Sequence, residues 1–325
     1  MEKTNFLQSE AWGEFQKILG NKVITASTDE GIVQYYFVKS RFANFLYCPR
    51  GPLLTSAKTL AKLLDQSIKD AKENKADFIQ IEPSIDPGFI VQALLKKGFF
   101  KQRKTTQPEN TSIVPLTPDT QTIYSNFRKT TRQMIRKALG SKVEIKSYQN
   151  LSRWDDFVKL FTETMHRQKF TPHNFLYMKK QFECFEEKKN IKLYLAEVNG
   201  KALAGAIILS YGKTSTYLHA GSNDLSRDLG AAQLLVWVAI QDAKKEGNEA
   251  FDLWGIAPED APNHPWKGIT VFKNGFGGKT VTYPGAFVLP VNVNRYRFYL
   301  LINFLKAAPL FKTTQRILLR AITKG

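Results

Sequence analysis

The chain has 325 residues, more than one compact core of ordinary size holds, so we expect two domains. Its net charge of +18 favours a polyanionic partner, such as nucleic acid, anionic lipid or a phosphorylated substrate, without choosing among them. Cys48 and Cys184 are its two cysteines, which suits a reducing cytoplasm and argues against a metal site. The first residues lack a signal-peptide pattern, and no apolar run reaches the roughly 18 residues of a membrane span, so we expect neither feature.

The N-terminal part of the chain alternates helical and extended patterns. Ser9 is an N-cap candidate, and Trp12, Phe15 and Leu19 follow it at helical spacing. Residues rich in β-branched and aromatic side chains predict strands, and amphipathic spacing predicts helices. The predicted strands are 33–38, 45–47 and 78–81, and the predicted helices are 57–73 and 89–97.

The second part of the chain repeats this order of elements. It begins with a predicted basic helix over 120–139, in which Arg128, Arg132 and Arg136 recur every four positions. The helices predicted after it are 151–167, 174–188 and 229–246, and the strands are 193–198, 202–211, 214–219 and 250–254. A meander of strands followed by a β-α-β element, occurring twice, predicts an α/β (α+β) fold with mixed central sheets flanked by helices.

The C-terminal segment 295–325 has a different composition. It holds seven basic residues and no acidic one before its final glycine: Arg295, Arg297, Lys306, Lys312, Arg316, Arg320 and Lys324. Leucine, isoleucine and phenylalanine lie between them. The pattern is typical of an amphipathic segment on an anionic membrane surface, and packing of the apolar side onto the first domain is the alternative.

An acetyltransferase-like motif stands at the turn that precedes the predicted helix 229–246. Arg227, Gly230 and Ala232 match the arrangement Arg-x-x-Gly-x-Ala, in which backbone amides at a helix N-terminus hold a pyrophosphate. Close packing of the start of a helix explains the same small residues.

A second block, richer in glycine, surrounds one lysine. The strand residues 251–256 are followed by Phe272-Lys273 and by Gly275-Phe276-Gly277-Gly278. We expect Lys273 to lie in an exposed turn, either as a functional cation or as an ordinary surface lysine.

These blocks, taken in order, carry a resemblance to a known family. The sequence resembles the Fem family of peptidoglycan-bridge aminoacyltransferases, the group that contains FemA, FemB, FemX and MurM. It is most similar to the short FemX-like members, because no coiled-coil insertion stands between 222 and 251. The matching blocks are Gln8-Ser9-x-x-Trp12-Gly13-x-Phe15, Tyr47-x-Pro49-Arg50-Gly51-Pro52, Ile81-Glu82-Pro83, Gln107-Pro108-x-x-Thr111, Ala220-Gly221-Ser222, Trp254-Gly255-Ile256, Phe272-Lys273 and Phe276-Gly277-Gly278.

The resemblance implies two tandem acetyltransferase-like (GNAT-like) domains. We expect them at 1–145 and 146–289, with the first completed by 290–325. It also implies transfer of an amino acid from aminoacyl-tRNA to the stem-peptide amine of a lipid-linked or UDP-linked peptidoglycan precursor. Aminoacyl-tRNA is then a co-substrate, and neither a cofactor nor a metal is expected.

The resemblance also implies site residues. Lys273 and Phe272 would lie beside the aminoacyl ester, where the ammonium stabilises the oxyanion or the leaving ribose oxygen. Substrate contacts are expected from Glu82, Tyr177, His173, His219, Lys17, Arg50 and Trp254. Contacts to tRNA phosphates are expected from Arg128, Arg132 and Arg136, with a solvated helix face as the alternative for these three.

Two of these positions depart from the family pattern. His173 replaces a phosphate-binding arginine and His219 replaces a tyrosine of FemX-like proteins. A neutral histidine binds a pyrophosphate less firmly than arginine does, which favours the lipid-linked precursor. His219 is alternatively a core residue at the end of a strand.

The sequence therefore predicts a cytoplasmic aminoacyltransferase at the inner face of the cytoplasmic membrane. One alternative is an acyl-CoA-dependent N-acyltransferase, suggested by the Arg-x-x-Gly-x-Ala motif. The other is a non-enzymatic protein that binds RNA or anionic lipid through its charge.

Overall fold

The computed structural model describes residues 5–54, 57–84, 88–168, 174–261 and 263–307. A short 3-10 helix, Phe6–Gln8, comes first. The α-helices, in chain order, are α1 Glu10–Ile18, α2 Ala57–Glu73, α3 Ile90–Lys96, α4 Thr120–Ser125, α5 Lys129–Gly140, α6 Trp154–Gln168, α7 Phe175–Glu186, α8 Asp224–Leu229, α9 Ala231–Lys245, α10 Lys267–Asn274 and α11 Val293–Ala307. The strands are β1 Lys22–Thr28, β2 Gly31–Lys39, β3 Asn44–Pro49, β4 Leu53–Leu54, β5 Phe78–Glu82, β6 Phe100–Lys101, β7 Asn110–Pro115, β8 Glu144–Tyr148, β9 Ile191–Val198, β10 Lys201–Tyr211, β11 Thr214–Ser222, β12 Ala250–Ile256, β13 Lys279–Thr282 and β14 Phe287–Pro290.

The chain divides into two units, each built from separate stretches of sequence. Unit 1 comprises Met1–Leu19 and Thr105–Pro284, and unit 2 comprises Gly20–Lys104 and Gly285–Gly325. The predicted boundary at 145 does not coincide with this division. The physical reason is strand pairing, since β7 pairs with β12 and β13 in the sheet of unit 1. The completion of the first domain by 290–325 stays a prediction; β14, which ends where that segment begins, pairs with β5 in unit 2.

Unit 1 is built around a sheet of order β13-β7-β12-β11-β10-β9-β8. Strands β9, β10 and β11 form an antiparallel meander, α8 and α9 follow, and β12 then returns parallel to β11. Apolar residues of β9 and β10 face helices on both sides, which explains why β10 is an almost continuous run of buried residues. Helix α1 begins where the Ser9 hydroxyl accepts the amide of Trp12, as its N-cap position predicts.

Unit 2 repeats the same succession of elements. Its sheet has the order β1-β2-β3-β5-β14-β6, with β4 paired to β2. Strands β1, β2 and β3 form an antiparallel meander, α2 follows, and β5 then pairs parallel to β3. The buried side of α2, with Leu60, Leu63 and Leu64, packs onto this sheet. The α/β fold with mixed sheets flanked by helices, occurring twice, is confirmed.

Two predicted helices have different bounds in the structure. The helix predicted over 120–139 is interrupted between α4 and α5, because Phe127 turns into the core of unit 1 and is almost fully buried. The helix predicted over 229–246 is α9, and α8 precedes it directly, capped by the Asn223 side chain. Strand β11 extends to Ser222, so His219 lies within the strand rather than at its end.

Several remaining features bear on function. Within the described residues, no helix is long and apolar enough to cross a membrane. Cys48 and Cys184 are both buried thiols. The described part of the chain also shows no group of three or more His, Cys, Asp or Glu side chains placed to bind a metal ion. Of the basic C-terminal segment, residues up to Ala307 are described as α11, and the remainder lies outside the described residues.

Candidate active site

A β-bulge in β12 shapes the region around the predicted catalytic lysine. Asp252 pairs with Ile113 of β7 and Gly255 pairs with Thr111, so two residues of β12 bulge between these pairs. Trp254, the second of them, has a φ of 62°, a left-handed conformation that is unfavourable for a bulky side chain. Gly255, the next residue, resumes the pairing with β7.

Asp252 holds this bulge together. Its Oδ1 accepts the backbone amide of Trp254 over 2.7 Å and the hydroxyl of Thr111. The Asp252 side chain is buried, as is Thr111. Because the position is buried, the carboxylate oxygen needs hydrogen-bond donors from the protein, and the amide and the hydroxyl supply them.

Lys273 lies opposite the bulge, near the end of α10. Its residue surface is only 5% exposed, and its Nζ donates a hydrogen bond of 2.8 Å to the Gly255 carbonyl. The expectation of an exposed turn is therefore wrong, because α10 continues to Asn274 and places this side chain inward. Burial lowers the pKa of Lys273 from 10.5 to about 7, and the negative charge of Asp252 opposes that effect.

An ammonium has three N–H donors, and one of those on Lys273 is used by a described residue. No acceptor among the described residues takes the other two, which could donate to an oxygen that develops negative charge. A cation with a pKa near neutrality is also typical of functional lysines, since structural lysines rarely enter the interior.

Phe272, the neighbour of Lys273, lines a large cavity within unit 1. The cavity has a volume of about 920 Å³. Its walls come from α6, β10, β11, α8, α9 and α10, and backbone pairing between β11 and β12 ends after the Thr216–Asp252 pair. Polar and apolar groups both face it, among them Arg167, Ser222, Arg227, Ala232, Gly268 and Phe272. Its size is sufficient for a drug-sized or nucleotide-sized group.

The Arg227–Ala232 motif stands beside this cavity. Gly230 has a φ of 77°, and a Cβ there would lie 2.4 Å from the carbonyl oxygen of Met134 in α5. This close approach of α5 explains the glycine by packing. Arg227 itself is exposed and lines the cavity, 3.7 Å from Asp224.

Arg167, which sequence analysis missed, stabilises one wall of the cavity. Its guanidinium donates to the Ser222 carbonyl over 2.8 Å and lies 3.5 Å from Asp224. Thr164 also accepts the amide of Ser222, which ties the end of β11 to α6. The one sequence signal that could have identified Arg167 is its position as a basic residue in the last turn of a predicted helix.

Three predicted substrate contacts lie in a second aromatic core of unit 1. The ring of Tyr177 packs edge-on against Phe15 at 4.9 Å, and burial raises its pKa. The ring of Trp254 lies 5.6 Å from that of Phe6. The Nε2 of His219 lies 2.9 Å from the side-chain oxygen of Gln181.

The other predicted substrate contacts are distributed differently. Lys17 is exposed and forms an ion pair of 2.7 Å with Glu14. Glu82 and Arg50 belong to unit 2, where both are buried, and the Gln80 amide donates to Glu82 over 2.8 Å. His173 lies outside the described residues.

The three predicted tRNA-binding arginines all follow the break between α4 and α5. Arg132 donates to the carbonyls of Ser125 and Phe127, so it braces this turn. The Arg128 guanidinium lies 3.4 Å from the Val271 carbonyl of α10. Arg136 is exposed on the next turn of α5.

A family model described as the FemAB family matches residues 93–202 and 200–304. The chain belongs to the FemAB family. Its relatives include a UDP-N-acetylmuramoylpentapeptide-lysine N(6)-alanyltransferase of Weissella viridescens, which is 25% identical over 71% of each chain. A lipid II:glycine glycyltransferase of Staphylococcus haemolyticus is 25% identical over 61% of this chain and 51% of its own length. These relatives are named as transferases, in keeping with the resemblance in the sequence.

Solved structures give the same fold. The structure titled as the crystal structure of FemX matches with a TM-score of 0.82 and 19% identity, covering 90% of this chain and 94% of that one. A tandem GNAT protein from the clavulanic acid biosynthesis pathway matches with a TM-score of 0.52 and 9% identity, covering 90% and 97%. The prediction of two tandem GNAT-like domains is confirmed at the level of the fold.

Proposed function

We propose that this FemAB protein transfers an amino acid from aminoacyl-tRNA to the stem-peptide amine of a peptidoglycan precursor. The observation that carries the proposal is the buried Lys273, which uses one donor on the Gly255 carbonyl among the described residues and follows Phe272, a residue that lines a cavity of about 920 Å³. The names of the two relatives, an alanyltransferase and a glycyltransferase, support the reaction class.

The chemistry is aminolysis of an ester. The lone pair of the acceptor amine forms a bond to the ester carbonyl carbon, and the carbonyl oxygen gains negative charge. Collapse of this intermediate breaks the bond to the ribose oxygen, which leaves with the proton that the amine gives up. The Lys273 donors stabilise the oxyanion or the leaving oxygen, an effect worth about 100- to 1,000-fold in rate for donors of this kind.

The partner that brings the amino acid is a polyanion, and α5 offers it positive charge. Arg128 and Arg136 are exposed there, and no acidic residue occupies the first turn of the helix. We propose that these arginines contact tRNA phosphates, whose recognition depends mainly on such salt-sensitive contacts.

The acceptor is proposed to be the lipid-linked precursor rather than the UDP-linked one. The relatives include one of each type, so their names leave the choice open. The histidine at position 173 supports the lipid-linked form through its weaker grip on a pyrophosphate. We propose Lys17, Tyr177, His219 and Trp254 of unit 1 as acceptor contacts, and the contacts expected of Glu82 and Arg50 stay predictions from the family resemblance.

A lipid-linked acceptor requires access to a membrane, and α11 supplies a suitable surface. Tyr296 packs on Phe78 at 5.1 Å, whereas Leu301 and Phe304 are 53% and 72% exposed. Arg297 is exposed on the same helix. We propose that this face of α11 lies on an anionic bilayer, where buried apolar area and basic charge act together.

The test of the function is transfer of a radiolabelled amino acid in vitro. Purified protein is mixed with a labelled aminoacyl-tRNA pool and either lipid-linked or UDP-linked muropeptide, and label in the muropeptide is counted. Label in the lipid-linked product, reduced at least about 100-fold by Lys273→Met, is the expected result. Transfer that the substitution leaves unchanged would refute the role of Lys273, and no transfer to either acceptor would refute the reaction.

A second candidate function is acyl transfer from acyl-CoA, because Arg227 and Ala232 of the acetyltransferase-like motif line the cavity. Thermal-shift titration with acetyl-CoA separates the two. Saturable stabilisation by acetyl-CoA would favour this second function, and a flat titration beside active aminoacyl transfer would exclude it. A purely RNA- or lipid-binding protein is excluded by any transfer that depends on Lys273.

A further inference from the structure

A buried carboxylate accompanies Lys273, and the proposed reaction gives it no role. Asp252 stands on β12 between the apolar residues Phe251 and Leu253, both fully buried. An unpaired carboxylate is costly in such a place, so its presence calls for a compensating interaction. Its oxygen accepts two hydrogen bonds from within the bulge, from the Trp254 amide and the Thr111 hydroxyl.

The same bulge determines where the lysine ammonium is held. Trp254 adopts a left-handed conformation, which is unfavourable for a non-glycine residue. The hydrogen bond from its amide to Asp252 offsets that cost. The next carbonyl, that of Gly255, then accepts the hydrogen bond from Lys273 Nζ over 2.8 Å. The carboxylate thus supports the backbone atom that the ammonium contacts.

We propose that Asp252 is a positioning residue, which fixes the bulge that orients the Lys273 ammonium and supplies the negative charge that keeps it protonated. The inference rests on the proposed function for its link to catalysis. Its structural part, the support that Asp252 gives to the bulge whose Gly255 carbonyl the ammonium contacts, stands independently of any reaction.

The charged surroundings of Lys273 support the assignment. On β12, the negative charge of Asp252 opposes the burial that lowers the lysine pKa to about 7. Arg128, the N-cap of α5, donates from its guanidinium to the carbonyl of Val271, two residues before Lys273, and is the cation on that side. Thr131 of α5, which approaches Gly275 closely, is neutral. Among these neighbours Asp252 is the group that favours the charged lysine.

The test uses Asp252→Asn, which retains an oxygen acceptor for the Trp254 amide and removes the charge. The lysine pKa is measured by NMR on protein labelled with ¹³C-lysine, and the Lys273 resonance is identified by its loss in Lys273→Met. We expect the pKa of Lys273 to fall by about 1 unit or more in Asp252→Asn. Asp155→Asn is the matched control, since it removes the same charge from an exposed position of α6 and should leave the Lys273 titration unchanged.

Activity gives the second readout. We expect kcat of Asp252→Asn to be lower than that of the wild type by roughly 10-fold at about pH 8 and by roughly 2-fold at about pH 6, with little change in KM for aminoacyl-tRNA. A residue that merely supports the fold would lower kcat by the same factor at each pH. That pattern, or an unchanged Lys273 titration in Asp252→Asn, would overturn the proposal.

A third measurement needs no substitution. In wild-type protein labelled with ¹³C-aspartate, the carboxylate carbon of Asp252 should shift with an inflection at the pH where the lysine resonance titrates. If no aspartate carboxylate follows that inflection, the electrostatic coupling of Asp252 to Lys273 is refuted even when Asp252→Asn fails to fold. If the coupling is present and the protein has no transferase activity, the proposed function fails and the positioning of the lysine stands.

Discussion

Replacement of Lys273 by methionine should change how stability depends on pH. Methionine has a similar length and no charge, so it removes the titrating group and leaves little empty volume. In the folded state burial lowers the pKa of the ammonium from 10.5 to about 7. Placing a proton on the buried amine therefore costs the folded protein roughly 4–5 kcal/mol relative to the unfolded chain.

The sign of the effect follows from proton binding. Between the folded and unfolded pKa values of this lysine, the unfolded chain binds more protons than the folded protein, so stability rises with pH across that window. The free energy of unfolding of the wild type, minus that of Lys273→Met, should be flat below about pH 6.5 and should rise by about 1.4 kcal/mol per pH unit above about pH 7.5. Groups common to both proteins cancel in this difference.

The assay is urea denaturation at a series of pH values, followed by the intrinsic fluorescence of the tryptophans. From about pH 6 to about pH 9 the difference should grow by roughly 2.5 kcal/mol. Lys267→Met is the matched control for the substitution itself, because Lys267 is exposed on the same helix. If the free energy of unfolding of the wild type minus that of Lys273→Met stays constant with pH, the claim that burial lowers the pKa of Lys273 is refuted.

Three further predictions concern activity and partners. If protonated Lys273 acts, log kcat/KM should rise by about one unit per pH unit below about pH 7, as the acceptor amine loses its proton, and should level off above it. If neutral Lys273 acts as a base instead, the slope should be about two below that pH and about one above it. Arg136→Ala should weaken tRNA binding without loss of stability, and should reduce the slope of log binding constant against log salt concentration by about 1. Arg132→Ala should also lower the midpoint of thermal unfolding, since Arg132 holds the α4–α5 turn, and equal stability of the two variants would contradict that role. Replacing Leu301 and Phe304 together by serine should weaken partition onto anionic vesicles roughly 10-fold or more, as measured by sedimentation, and equal partition of variant and wild type would refute the membrane face.

The order of elements could be predicted from the sequence because its signals are local. Helix α2 has the predicted bounds, since its leucines recur at helical spacing along one face. Strands β9, β10 and β12 were recognised from their apolar runs, and only their ends moved by a residue or two. The family resemblance supplied the fold of the units, which these local patterns alone left as a general α/β class.

The division into units could not be predicted, because it depends on pairing between distant segments. β7 directly follows the elements of unit 2 in sequence, yet it pairs with β12 of unit 1, well over a hundred residues later. Likewise β14 returns to β5. Periodicity shows that such a segment is a strand but carries no information about its partner.

The environment of Lys273 was missed for a similar reason. Glycines on both sides of the Phe272–Phe276 segment suggested a turn, but α10 extends to Asn274. The Lys273 side chain donates to the carbonyl of Gly255, which follows a bulge in another element. The bulge arises from the left-handed conformation of Trp254, which the sequence does not signal. Asp252 did carry a signal, as an acidic residue within an apolar strand, and such a residue is usually paired.

Muropeptide composition in cells tests the central claim most directly. Peptidoglycan is digested and analysed by mass spectrometry from cells of the source organism that carry the intact gene, a deletion, or Lys273→Met at the native locus. The account predicts that a bridge amino acid is present in the first strain and lost in the other two, with the variant protein at normal abundance. Identical muropeptides in all three strains would contradict it.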